Sequence, residues 1–205
     1  MELKGMTMPG YRVNEYSLVL NPHPDLQEKI KNLRVDFDKA FHIKTKIGGR
    51  PNVGLVNWMQ YEMYESRLAD KLKLVAMAYP PFKIELRNFG SYPPHTIYID
   101  MVSHLGIQNL IKEIRENAQK LMKLNPETKP YFLQEPHITV GRKLLPWQYE
   151  KAWLEYSQKH FRGSFIADAM LLLKRAQGEK SWQIAERFDF QNLPVNTAAK
   201  QGELF

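Results

Sequence analysis

Two rhythms of apolar and polar positions run along this chain, one of period two and one of period near 3.6. Tyr16-Ser17-Leu18-Val19-Leu20 predicts a strand, closed by Asn21-Pro22-His23-Pro24, whose prolines cannot continue a hydrogen-bonded ladder. Asp25 is placed to cap the helix that follows, and Leu26, Ile30, Leu33, Phe37 and Phe41 give that helix one apolar face from Leu26 to Phe41. Gly48-Gly49-Arg50-Pro51 reads as a loop, Val53 to Trp58 as a strand, and Tyr61 to Ala78 as a helix ending at Tyr79-Pro80-Pro81. Phe82-Lys83-Ile84-Glu85-Leu86 alternates as a half-exposed strand should. Gly90-Ser91-Tyr92-Pro93-Pro94 turns into a strand from Thr96 to Met101, and Ile107 to Leu124 is a basic amphipathic helix stopped by Asn125-Pro126. A short strand, His137-Ile138-Thr139-Val140, follows Glu135-Pro136, and Pro146 opens a helix reaching about Phe161. Phe165 to Lys174 and Trp182 to Phe190 form a closing strand pair around Gln177-Gly178-Glu179, and the tail at Ala198–Glu203 has no periodicity. The inventory is α+β.

The same unit occurs twice. Pro51-Asn52-Val53-Gly54-Leu55 aligns with Pro136-His137-Ile138-Thr139-Val140, 85 residues on (51 to 136), and Gln60-Tyr61-Glu62 recurs as Gln148-Tyr149-Glu150, 88 residues on (60 to 148). In each copy a helix opens there and leads to a strand, at Phe82 and at Phe165. Two such lobes, about 14–95 and 96–192, would pack about a pseudo-twofold axis, with strands free to exchange between them and a tail from 193 to 205. Residues 52 and 137 would then line opposite walls of one cleft.

Composition narrows the chemistry. The 205 residues contain no cysteine, which excludes disulfide-linked partners, thiolate nucleophiles and cysteine-based metal centres. The run Met1–Met6 lacks the apolar stretch of a secretory signal and no membrane-length apolar run exists, so a soluble, cytoplasmic protein without membrane contact is expected. A net charge of +7 biases encounter toward polyanions such as RNA or phosphorylated metabolites, although a solubilising surface explains it equally well.

His137-Ile138-Thr139-Val140 resembles the His-x-Thr/Ser-x signature of the 2H phosphoesterases, the superfamily of 2'-5' RNA ligases and RNA 2',3'-cyclic phosphodiesterases, and the resemblance spans about residues 14–192. It implies two pseudo-symmetric β-α-β lobes with antiparallel sheets facing a central cleft. It also implies metal- and cofactor-free chemistry, in which one imidazole acts as general base and the other as general acid while the hydroxyls bind phosphate oxygens. His137 would be the surviving acid or base and Thr139 its phosphate-binding partner. The first copy departs from the pattern: Asn52 stands for the histidine and Gly54 for the threonine. An amide moves no protons near pH 7 and glycine has no hydroxyl.

The resemblance therefore implies binding of RNA ends or nucleotide-like phosphodiesters with weak or lost catalysis, or else a non-catalytic phosphorylated-ligand or RNA-binding module. A scaffold with a vestigial cleft is a third reading. Asn52 would still donate to phosphate, and Gly54 would admit a ligand to the backbone. His95, between Pro94 and Thr96, is the candidate replacement for the missing histidine, although its third position is Ile97. His23, His42, His104 and His160 are expected to be solvated. Alternation would turn one of Arg142 and Lys143 toward the cleft, Lys174 and Arg175 offer further cations, and Tyr98 or Trp182 would stack on a base.

Overall fold

The computed structural model describes residues 11–43 and 47–194. The opening Met1–Met6 and the Ala198–Glu203 tail lie outside the described residues. In chain order the elements are β1 (Val13–Leu20), α1 (Pro24–Ala40), β2 (Val53–Tyr61), α2 (Glu65–Ala78), β3 (Phe82–Tyr92), β4 (Thr96–Met101), α3 (His104–Met122), β5 (Tyr131–Phe132), β6 (Ile138–Arg142), α4 (Pro146–Tyr156), β7 (Arg162–Ala167), β8 (Ala169–Ala176) and β9 (Gln183–Asp189). Every strand pairing is antiparallel. One sheet has the order β5-β2-β1-β8-β9 and the other β6-β4-β3-β7, so each sheet draws strands from both halves of the chain.

Several elements differ from what the pattern predicts. The single strand expected from Phe165 to Lys174 is two strands in different sheets, parted at Asp168. The Asp168 carbonyl accepts from Phe190 N at 2.7 Å, so the chain changes sheets where that backbone group bonds outside the ladder. An apolar run conceals such a switch because buried apolar residues flank it on both sides, Phe165 and Ala167 in β7 and Ala169 to Leu172 in β8. The helix expected from Tyr61 instead follows a strand that runs to Tyr61 and one 3-10 turn at Glu62–Tyr64. The last helix stops at Tyr156, whose ring packs edge-on against Phe37 and Phe89. His23, exposed as expected of a turn residue, caps α1 in place of Asp25: its Nδ1 accepts from Leu26 N at 3.3 Å.

The repeated glutamines tie the halves together. Gln60 is buried and donates from Nε2 to the Leu121 carbonyl in the last turn of α3 at 2.7 Å. Gln148 is buried and donates to the Phe41 carbonyl just past α1 at 3.0 Å. Each amide from one half thus bonds a carbonyl at the end of the other half's first helix, the Leu121 carbonyl also accepting from Leu124 N at 3.2 Å. Packing repeats the exchange, with α1 against β6 and α3 against β2. At the α1–β6 contact Gly141 lies under the Phe37 ring, so close that a Cβ there would collide with it. The apolar side chains merge into one core spanning both sheets.

Removing Gln148 takes the side-chain donor from the Phe41 carbonyl, and removing Gln60 leaves the Leu121 carbonyl with the Leu124 N–H alone. Gln148→Leu is expected to lower the unfolding free energy by about 1–3 kcal/mol, and Gln60→Leu by a similar amount, measured by urea titration. Values within error of the native chain would show that the caps do not couple the halves.

Candidate functional site

The two motifs meet at one cavity of about 1060 Å³. Asn52 stands one residue before β2, in the five-stranded sheet, and His137 one residue before β6, in the four-stranded sheet. Asn52, Gly54, His137, Thr139, Arg142 and Arg175 all line this cleft. The alternation of β6 explains its share: Ile138 and Val140 are buried, while Thr139 faces the opening.

His137 is held on three sides. Its Nδ1 lies 2.8 Å from the Glu135 carbonyl, and a carbonyl oxygen only accepts, so Nδ1 carries the proton. Nε2 of the neutral ring is therefore the free lone pair. The Tyr98 ring packs against the imidazole at 4.6 Å between centroids and the Tyr92 ring at 5.3 Å, with Tyr92 and Tyr98 themselves 4.7 Å apart. Tyr92 donates its hydroxyl to Glu135 Oε2 at 2.7 Å, anchoring the segment whose carbonyl orients the histidine. Burial raises both phenols above their ordinary range, and the bond to Glu135 adds to the rise at Tyr92. Gly90, opposite Tyr98 across the β3–β4 ladder, gives the tyrosine ring its place: a Cβ there would come within 2.5 Å of it.

The candidate cations divide by position. Arg142 faces the cleft, whereas Lys143 follows the strand in a left-handed conformation (φ 55°) and is not among the lining residues. Arg175 lines the cleft, donates from Nε to Glu15 Oε2 at 2.9 Å, and sits 4.5 Å over the Trp182 ring. Lys174, its neighbour, turns to the other face of the sheet and bonds Glu62 and Glu65 at 3.0 and 2.8 Å. Tyr98 stays behind His137 and does not line the cleft. His95 sits beside the β3–β4 hairpin, its Nδ1 3.0 Å from Thr96 Oγ1, and does not line the cleft either. Among the described residues His137 is the one histidine that does.

Two lining residues escape the sequence pattern. Arg34, on α1, is only 8% exposed and donates from Nε to the Thr139 carbonyl at 2.9 Å. Burial pushes its guanidinium down to about 10; the Arg142 charge adds to the fall and Asp38 opposes it, so Arg34 stays charged at neutral pH. Its one signal is spacing, since Leu26, Ile30 and Arg34 fall on one face at intervals of four and a cation interrupts an apolar stripe. Leu133 follows β5, a two-residue strand too short to show a pattern. Its N–H bonds the Leu55 carbonyl at 2.9 Å, and its Cδ2 lies 3.0 Å from where a Cβ on residue 54 would stand. Leucine thus occupies the space beside Gly54.

Arg34, Arg50, Arg142, Arg175 and Lys180 border the cleft against one carboxylate, Glu15, which gives it a positive field suited to an anion. Two antiparallel sheets around such a cleft, with a His-x-Thr strand on one wall, define a 2H phosphoesterase fold. The sequence pattern of the 2'-5' RNA ligase superfamily matches residues 22–179, and the chain belongs to that superfamily.

A protein of Geobacillus thermodenitrificans, provisionally named a phosphoesterase, is 24% identical over 181 residues, covering 85% of this chain and 95% of its own. Another from Geobacillus kaustophilus, named likewise, is 22% identical with the same coverage. Among solved structures, TT0787 of Thermus thermophilus superposes with a TM-score of 0.66 at 13% identity, over 86% of this chain and 98% of that one. The E. coli LigT complex with 3'-AMP gives 0.59 at 16%, over 87% and 98%. These likenesses extend to the fold. Among the described residues no helix is long and apolar enough to cross a membrane.

The held imidazole gives a direct test. Long-range proton–nitrogen spectra of the neutral His137 ring are expected to show a protonated Nδ1 and a bare Nε2. Gly90→Val, which displaces Tyr98, should scatter that signature. The opposite tautomer in the native chain would contradict the Glu135 bond.

Proposed function

We propose that the cleft binds RNA ends or nucleotide-like phosphodiesters, with hydrolysis weak or absent. The observation that carries this reading is the asymmetry of one shared cavity: His137 and Thr139 on one side, Asn52 and Gly54 at the equivalent places on the other. E. coli LigT, a relative of the same fold, has been crystallised with 3'-AMP, with ATP and with NADP+, which lends support to a nucleotide-like ligand.

In this reading His137 Nε2 takes a proton from the attacking water while Thr139 donates its hydroxyl to a phosphate oxygen as charge builds there. The leaving 2'-oxygen of a 2',3'-cyclic phosphate would then depart without a proton donor, since Asn52 supplies none. Loss of one acid–base partner removes roughly 10²- to 10⁴-fold of rate. Asn52 remains a donor; its Nδ2 now bonds the Arg50 carbonyl at 3.3 Å and is free to exchange that bond for a ligand oxygen.

Leu133 favours the second reading, a binding module without turnover. By filling the space beside Gly54 it puts an apolar side chain where the second motif presents the Thr139 hydroxyl.

Incubation with a 2',3'-cyclic nucleotide separates the two. Slow ring opening abolished by His137→Ala supports the enzyme, and saturable binding without product supports the module. Absence of both sets the nucleotide reading aside.

Rebuilding the first motif gives an independent outcome. Asn52→His with Gly54→Thr is expected to gain little, because the threonine meets Leu133. Adding Leu133→Ala should raise ring opening by about 10²-fold or more. No gain in the triple variant would count against the equivalence of the two motifs.

A further inference from the structure

The cations around the cleft are unequal in what they already hold. Arg175 has Glu15, and Lys174 has turned away to Glu62 and Glu65. Arg50 and Lys180 stand on connecting segments at the rim, where a solvated charge contributes little. Arg34 is different: a charge buried at 8% exposure is costly unless something offsets it. One hydrogen bond, from Nε to the Thr139 carbonyl, fixes its orientation and leaves the rest of the fork for the cleft it lines. Arg142, three residues beyond Thr139 on the same strand, brings a second guanidinium to the mouth. Among the described residues neither arginine has a carboxylate within ion-pair distance, and Asp38, one turn along α1, acts on Arg34 at longer range.

On the opposite sheet the lining arginine, Arg175, already holds Glu15, which lines the cleft beside it. Asn52 is neutral, and Gly54 lies beside Leu133. A phosphate between Asn52 and Thr139 therefore meets two guanidinium forks, the Thr139 hydroxyl and His137 on one side, and the Asn52 amide and the Glu15-paired Arg175 on the other. A phosphodiester has one negative charge and two free oxygens. A terminal monoester carries roughly −1.5 to −2 at pH 7 and three acceptor oxygens, enough for both forks and the hydroxyl at once.

We propose that Arg34 and Arg142 make the cleft select a dianionic terminal phosphate, such as a 2'- or 3'-phosphate end, over a cyclic or internal phosphodiester. The inference rests on the nucleotide reading above and names the form of phosphate that reading leaves open. Arg34, which belongs to neither motif, is the specificity-determining residue.

The test compares 3'-AMP, 2',3'-cyclic AMP and inorganic phosphate by calorimetry and by nuclear magnetic resonance of the arginine Nε–H groups, on the full chain. The native protein is expected to bind 3'-AMP at least about tenfold tighter than the cyclic nucleotide. Arg34→Met should bring that ratio toward one, Arg34→Lys should retain part of it, and Arg142→Met, at an exposed position, should lower it without risk to folding. Equal affinity for the two nucleotides, or a ratio unchanged in Arg34→Met and Arg142→Met, would overturn the inference. A phosphate response abolished by Arg34→Met, with neither nucleotide bound, would support the dianion site and sink the nucleotide reading. No response to any of the three would end both.

Discussion

The crossing of the two halves is the constraint on which the rest depends. Gln60 closes the end of α3 and Gln148 the end of α1, while α1 packs on β6 and α3 on β2. Neither motif strand is supported by its own half alone. Asn52 and His137, each one residue ahead of its strand, are consequently set around a common cavity by the same contacts that build the core. Gly141 under Phe37 carries the principle to a single atom, because the close approach of α1 to β6 also delivers Arg34 to the Thr139 carbonyl. Fold and anion site share one interface.

Within that frame the two walls differ in chemistry. On the second wall each element serves the imidazole: Glu135 fixes its tautomer, Tyr98 and Tyr92 pack its ring, and Gly90 makes room for Tyr98. On the first wall Asn52 offers an amide, Gly54 has no side chain, and Leu133 occupies the space beside it. Arg34 and Arg142, neither in a salt bridge among the described residues, stand around Thr139, where a phosphate would rest.

Much of this is legible in the chain itself. The His-x-Thr strand after Pro136, the repeat offsets and the Gln-Tyr-Glu echo locate both motifs, and strand alternation allows one of Arg142 and Lys143 to face inward. What stays hidden has physical reasons. The change of sheet at Asp168 is masked because buried apolar residues flank it on both sides, Phe165 and Ala167 in one sheet and Ala169 to Leu172 in the other. Leu133 follows a strand of two residues, below the length at which any period registers. Arg34 breaks a helical stripe at an interval of four, a visible irregularity whose meaning depends on α1 crossing to the other half. Tyr98 has the composition of a base platform, and its ring instead supports His137.

A crystal soaked in tungstate, a heavy-atom analogue of phosphate, would show whether an anion rests between the two walls. The expected result is an anomalous peak within hydrogen-bond reach of His137 Nε2, Thr139 Oγ1 and the Arg34 guanidinium, with Asn52 on its far side. Peaks confined to Arg50 or Lys180 at the rim, with the space between Asn52 and His137 empty of tungstate, would contradict it.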